Sequence, residues 1–198
     1  GDQRERTGAG HRPDPLYRGH RGLPAVTAAV FHLPAVAANP LAVELIEFTL
    51  GETGQEIVAQ AGFVSQNIRS EDIALDPSLP IEYLELARGS RRLSLNFRFQ
   101  PGSDQLDNKA LRDLDRLVAY LKEHPSLRVA LIGFTDGSHE PSYNMLLSQR
   151  RAEAIERALQ ARGVFPWATR GVGAVAPLAA DTSPAGQHRN RRVEVWVR

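Results

Sequence analysis

Apolar and polar positions alternate most regularly from Leu93 onward. Leu93, Leu95, Phe97 and Phe99 interleave with Ser94, Asn96 and Arg98, the period-two pattern of a half-buried strand, and Pro101-Gly102 ends it. Asp107 then suits the N-cap of a helix whose apolar stripe is Leu111, Leu114, Leu117, Val118 and Leu121, stopped by Pro125. A second strand is predicted over 128–134. A second helix is predicted over 143–162, with Leu147, Ala154, Ile155, Ala158 and Leu159 on one face and Gly163 as its stop. Residues 169–172 and 192–197 complete the set as strands. This order of elements predicts an α/β fold: an α+β two-layer sandwich, a mixed sheet with both helices on one face, over 93–198. That length suffices for one core.

The pattern upstream is weaker. Leu41, Leu45, Ile46, Phe48 and Leu50 alternate with Glu44, Glu47 and Glu52, predicting one or two acidic amphipathic helices over 41–66, broken at Gly51 and Gly54 and stopped by Gly62. Residues 67–92, with Pro77, Pro80 and several acids, read as a linker carrying one short helix at 81–87. Residues 1–40 read as a disordered leader, part of an overall patchwork that is only partly ordered. Its basic start, apolar middle and Ala35-Val36-Ala37 are signal-like, but the long basic part and the His32 and Pro34 inside the apolar part favour a loop or a truncated remnant. Pro24, Pro34 and Pro40 break the apolar part, so no membrane span is predicted.

Charge sharpens these boundaries. The total is +1 over 198 residues. Residues 41–88 nevertheless hold nine acids against Arg69 and Arg88, while 89–198 hold an excess of Lys and Arg. Zero Cys excludes a disulfide framework, thiol catalysis and Cys-based zinc sites. His124, His139 and His188 lack metal-ligand spacing, and Gly171-Val172-Gly173 lacks the third Gly of a dinucleotide loop, so no cofactor or metal is expected. The basic segment has no interleaved aromatic stripe, which argues against nucleic acid. Ser148, His139 and Asp136 form no recognisable triad, because Ser148 falls inside a helix, and no catalysis is expected.

Ile132-Gly133-Phe134-Thr135-Asp136, Asn144, Leu147-Ser148, Arg151-Ala152, Gly171-Val172-Gly173 and Asn190-Arg191-Arg192-Val193-Glu194 occur in an order and spacing that resemble the C-terminal family of outer membrane protein A. Phe99, Ser103 and Leu106 fall where that family's first strand hands over to its helix. The resemblance covers about 93–198. It implies non-covalent, non-catalytic binding of peptidoglycan at the diaminopimelate residue of the stem peptide, in the bacterial periplasm, anchored at the cell wall or outer membrane. Phe134 departs from the family, which usually carries His there.

A diaminopimelate side chain ends in one ammonium and one carboxylate, so its site needs one fixed anion and one fixed cation. Asp136 at a strand end and Arg151 on the following helix suit those roles, the guanidinium fork gripping the carboxylate. Asn144 suits either a ligand bond or a helix cap. Thr135, Asn190, Arg191 and Arg192 complete the candidate ligand-binding set. As structural alternatives, Asp136 reads as a turn acid and Arg151 as a solvated helix residue. Exposed helix faces leave room for a homodimer.

Residues 39–64 also resemble the closing segment of periplasmic phosphate-binding proteins, without that family's phosphate loops. This implies shared ancestry rather than phosphate binding. The rival function is a protein–protein or phosphate-uptake-related module in which the C-terminal domain is only a scaffold.

Overall fold

The computed structural model describes residues 39–63 and 65–198. The leader and its signal-like segment, expected over 1–40, lie almost wholly outside the described residues. The chain divides into two compact units, with the boundary between Asn67 and Ile68.

In the first unit, helix α1 (Pro40–Leu50) starts at Asn39, whose side chain accepts from Leu41 N. Helix α2 (Glu52–Gln60) follows after Gly51 alone. Gly51 is therefore the break that the sequence suggests, but Gly54 is not. It lies inside α2, where a Cβ would come 2.2 Å from Phe48 O, so it permits the two helices to meet. Gly62 supplies a positive φ of 86° after α2, as a helix end requires. α1 buries none of its residues, and Leu41, Leu45 and Phe48 are exposed.

The second unit is built on a five-stranded mixed sheet. The strands are β1 (Ser70–Glu71), β2 (Arg91–Arg98), β3 (Val129–Gly133), β4 (Ala168–Gly171) and β5 (Arg192–Val197), in the order β1-β2-β5-β3-β4. β5 runs antiparallel to both β2 and β3, while β4 lies parallel to β3. A register irregularity between Arg92 and Asn96 bends the β2–β5 ladder.

One face of the sheet follows the alternation directly. Leu93, Leu95, Phe97 and Phe99 meet Val129, Leu131, Val193, Val195 and Val197 under two helices. These are α4 (Asn108–Glu123), capped by Asp107 through Ala110 N, and α5 (Pro141–Gln160). Two details of the expected stripes shift. Leu111 is exposed and Ala110 takes its place in the core, while on α5 it is Ala152, rather than Ala154, that is fully buried.

The opposite face is covered as well. Helix α3 (Ile81–Ala87) has the bounds expected of it, but it does not sit in a linker: Tyr83, Leu84, Leu86 and Ala87 pack with Ala130, Ile132, Phe134, Val172 and Trp196. Residues 68–92 thus belong to the second unit. β1 pairs Ser70 with Leu93 and Glu71 with Arg92. Helices cover both faces, because every residue from Val129 to Gly133 is apolar or small, so neither side can be left in water. Helix α6 (Pro184–Asn190), capped by Ser183 through Gly186 N, leads into β5.

Among the described residues, no helix is long and apolar enough to cross a membrane.

Candidate functional site

The site forms where β3 ends. The chain leaves the sheet at Phe134, and Thr135 N donates to Gly173 O at 3.0 Å. Asp136 therefore stands at the strand's mouth, only 5% exposed. Arg191, between α6 and β5, reaches the same place: its Nη1 lies 2.6 Å from Asp136 Oδ2, and its Nε donates to Phe99 O. Asp136 Oδ1 accepts from Ser138 through both backbone N–H and hydroxyl. Burial alone would raise this carboxyl, but the bonds from Ser138 and Arg191 outweigh it and hold Asp136 below its ordinary range. It stays an anion.

Arg151 is placed by α5, and it is 0% exposed. Its donors go to backbone carbonyls: Nε to Ser103 O at 2.9 Å, Nη2 to Gln100 O at 3.1 Å and Nη1 to Phe134 O at 3.3 Å. Its guanidinium also lies 5.2 Å from the Phe99 ring. Burial lowers its pKa to about 10, opposed by the charge of Asp136. The solvated-helix alternative for Arg151 is thereby excluded. The residue does fold back over the end of β3, but it also clamps the 100–103 loop. Of its five N–H groups, three are engaged, leaving one on each terminal nitrogen.

Asn144 is buried, and its Nδ2 donates to His139 O at 2.8 Å, holding the loop after Asp136. Its Oδ1 and the Thr135 Oγ1 are buried with no hydrogen-bond partner among the described residues. Such orphan atoms are costly unless a ligand or solvent meets them. His139 Nδ1 lies 2.9 Å from Ser138 Oγ, and its ring packs on Tyr143 at 4.9 Å.

Two candidates have different surroundings. Asn190 accepts from Leu178 N and Ala179 N and donates to Ala179 O and Asp181 Oδ1. All four of its bonds are internal, and it braces the site from behind. The guanidinium of Arg192 turns to the α3-covered face. There it stacks 3.7 Å above the Phe134 ring, bonds Glu194 at 2.8 Å and donates to Ala176 O. Glu194 also accepts from Trp196 Nε1 at 3.0 Å and lies 3.5 Å from Arg92. Phe134 thus has an internal role here: Arg192 stacks on its ring, and the Tyr83 ring meets it edge-on.

Sequence reasoning missed Ser138 and Asp181. Asp181 Oδ2 accepts from Gly137 N at 2.8 Å and so fixes the turn that carries Asp136. Nothing local marks it, since its partner lies far along the chain. Ser148 Oγ donates to Met145 O and accepts from Gly173 N, a packing arrangement between α5 and the strand ends. No group of three or more metal-ligating side chains occurs among the described residues.

Comparison with known proteins identifies the domain. Residues 98–191 match the OmpA family model. The probable lipoprotein YiaD of Escherichia coli is 35% identical over 52% of this chain and 48% of its own length. The peptidoglycan-binding protein ArfA of Mycobacterium tuberculosis is 41% identical over 42% of this chain and 26% of its own. The chain therefore spans about half or less of the length of these curated relatives. The crystal structure of the peptidoglycan-associated lipoprotein from Burkholderia pseudomallei is 30% identical, covering 52% of this chain and 89% of that one, with a TM-score of 0.49. The likeness of 39–64 to phosphate-binding proteins finds no support, and the family match begins well beyond it. With the Asp136–Arg151 spacing inside the matched stretch, residues 98–191 of this chain are an OmpA family domain.

Proposed function

We propose that this protein binds peptidoglycan non-covalently and anchors itself to the bacterial cell wall, holding the diaminopimelate residue of the stem peptide at Asp136. The observation that carries this is one anion and two guanidinium groups gathered at the end of β3. Asp136 is ionised and bonded to Arg191, while Arg151 lies beneath with one N–H unspent on each terminal nitrogen. The carboxylate would accept from the ligand ammonium, and the Arg151 fork would take its carboxylate. Thr135 Oγ1 and Asn144 Oδ1, both without partners, supply further contacts. Asn190 and Arg192 support the site rather than touch the ligand. The relative named as a peptidoglycan-binding protein supports the same reading, and binding of this ligand would place the protein in the periplasm, at the cell wall or outer membrane.

No catalytic step is proposed. Individual charge-assisted bonds of this kind contribute roughly 1.5–3 kcal/mol, and the wall presents the ligand many times over.

The test is co-sedimentation of the full chain with purified sacculi, beside Asp136→Asn and Arg151→Lys, each checked by thermal melting. Wild type should pellet and both folded variants should stay largely in the supernatant. If wild type remains soluble, or if both variants pellet as it does, the proposal is wrong. Release of soluble muropeptides over time would reveal a hydrolase instead.

A further inference from the structure

Beside the Asp136 site lies a small cleft, of about 40 Å³, lined by Gly102, Asp104, Tyr143, Leu146, Leu147 and Arg150. Its two walls come from elements that the site itself ties together. The 100–104 loop is held by Arg151 through Gln100 O and Ser103 O, and the other wall is the outer face of α5. Tyr143 belongs to both places: it lines the cleft and packs on His139, the neighbour of the serine that bonds Asp136.

The cleft is chemically unfinished. Among the described residues, neither Asp104 nor Arg150 takes an ion pair or a side-chain hydrogen bond, although they line the same small space; Asp104 is half-buried and its charge also favours the Arg151 cation, while Arg150 is exposed. Tyr143 and Leu146 are about half exposed, so an apolar surface stands beside these charges. The volume exceeds the roughly 10–15 Å³ that a single water molecule needs. It has room for a group the size of a carboxylate.

We infer that this cleft is a second subsite, in which Arg150 grips a free peptide carboxylate and Asp104 accepts the adjoining amide N–H. The inference rests on the peptidoglycan reading and extends it. With a diaminopimelyl side chain on Asp136, the next residue of a stem tetrapeptide is a D-alanine that ends in a carboxylate. Its methyl would lie against Tyr143 and Leu146. The protein would therefore prefer strands whose stem peptides end one residue after diaminopimelate over those in which that carboxylate is blocked.

Calorimetric titration of the full chain with the free stem tetrapeptide and with its C-terminal carboxamide tests this. Wild type should bind the acid about five-fold more tightly, the size expected of a partly solvated ion pair. Arg150→Gln should bind both ligands equally, at the affinity wild type shows for the amide. Asp136→Asn should lose both. If wild type binds neither ligand, or Asp136→Asn binds like wild type, the site reading itself fails. If Asp136→Asn loses binding while wild type does not distinguish acid from amide, or Arg150→Gln still does, only the cleft inference fails.

Discussion

Asp136 and Arg191 carry the electrostatics of the site as a buried pair, their side chains 6% and 7% exposed. Removing one partner of such a pair strands the other, which costs more than the pair contributes. That is why Asn, and not Ala, is the informative replacement at 136. The folded Asp136 titrates below its ordinary value of 3.8. A depressed carboxyl lends stability that is complete above the unfolded value and is lost as pH falls through the folded one. Thermal melts should therefore place Asp136→Asn below wild type at neutral pH, by roughly 2 kcal/mol, with the gap narrowing below pH 3.8. A gap that persists unchanged at pH 2 would mean that the pair is not what stabilises the wild type.

Between elements, the closest approach is that of α5 to the strand ends, and glycine makes it possible. A Cβ on Gly133 would lie 2.1 Å from Ser148 O, and one on Gly171 would lie 2.2 Å from Gln149 N. Both obstacles are backbone, so α5 would have to retreat, and it carries Arg151 with it. Gly133→Ala should lower stability by about 3 kcal/mol in denaturant unfolding, whereas Gly102→Ala, with open space around it and φ of +64°, should cost about 1 kcal/mol. Equal losses would show that packing is not the cause.

These contacts also explain what the sequence disclosed and what it withheld. The alternation from Leu93 to Phe99, the Asp107 cap and the stop at Gly163 are local, so they are readable. The carbonyl partners of Arg151 are set by tertiary fold, and no spacing announces them. Helix α3 was visible as a helix, but its docking depends on Trp196 and Phe134, more than a hundred and about fifty residues away. α6 did carry a readable start, Ser183-Pro184, which the Gly and Asn around it obscured. Gly54 looked like a breaker because sequence cannot tell a turn glycine from one that admits a neighbour.

Taken as a whole molecule, the second unit begins at Ile68, and this fixes where the chain can be cut. A fragment of residues 68–198 should fold and melt in one cooperative transition. A fragment of residues 93–198 discards α3, β1 and the first two residues of β2, uncovering Ile132, Phe134 and Trp196, which are 0% exposed, and leaving Glu194 and Arg192 open to water without Arg92. Large losses follow from stripping aromatic cover of this kind, so this shorter piece should aggregate or melt without a sharp transition. Comparable melts for both fragments would refute the assignment of 68–92 to the domain. The position of β5 has a kinetic consequence. It is the middle strand of the sheet, with β2 on one side and β3 on the other, and it pairs Arg91 with Val197 and Gly133 with Val193. Until β5 has been made, β2 can pair only with the two-residue β1 and β3 only with β4, so the two halves of the sheet stay unjoined and the nascent domain waits as an open intermediate. Its contacts are long in sequence, which makes for slow closure and a dependence on whatever shields exposed strands during synthesis.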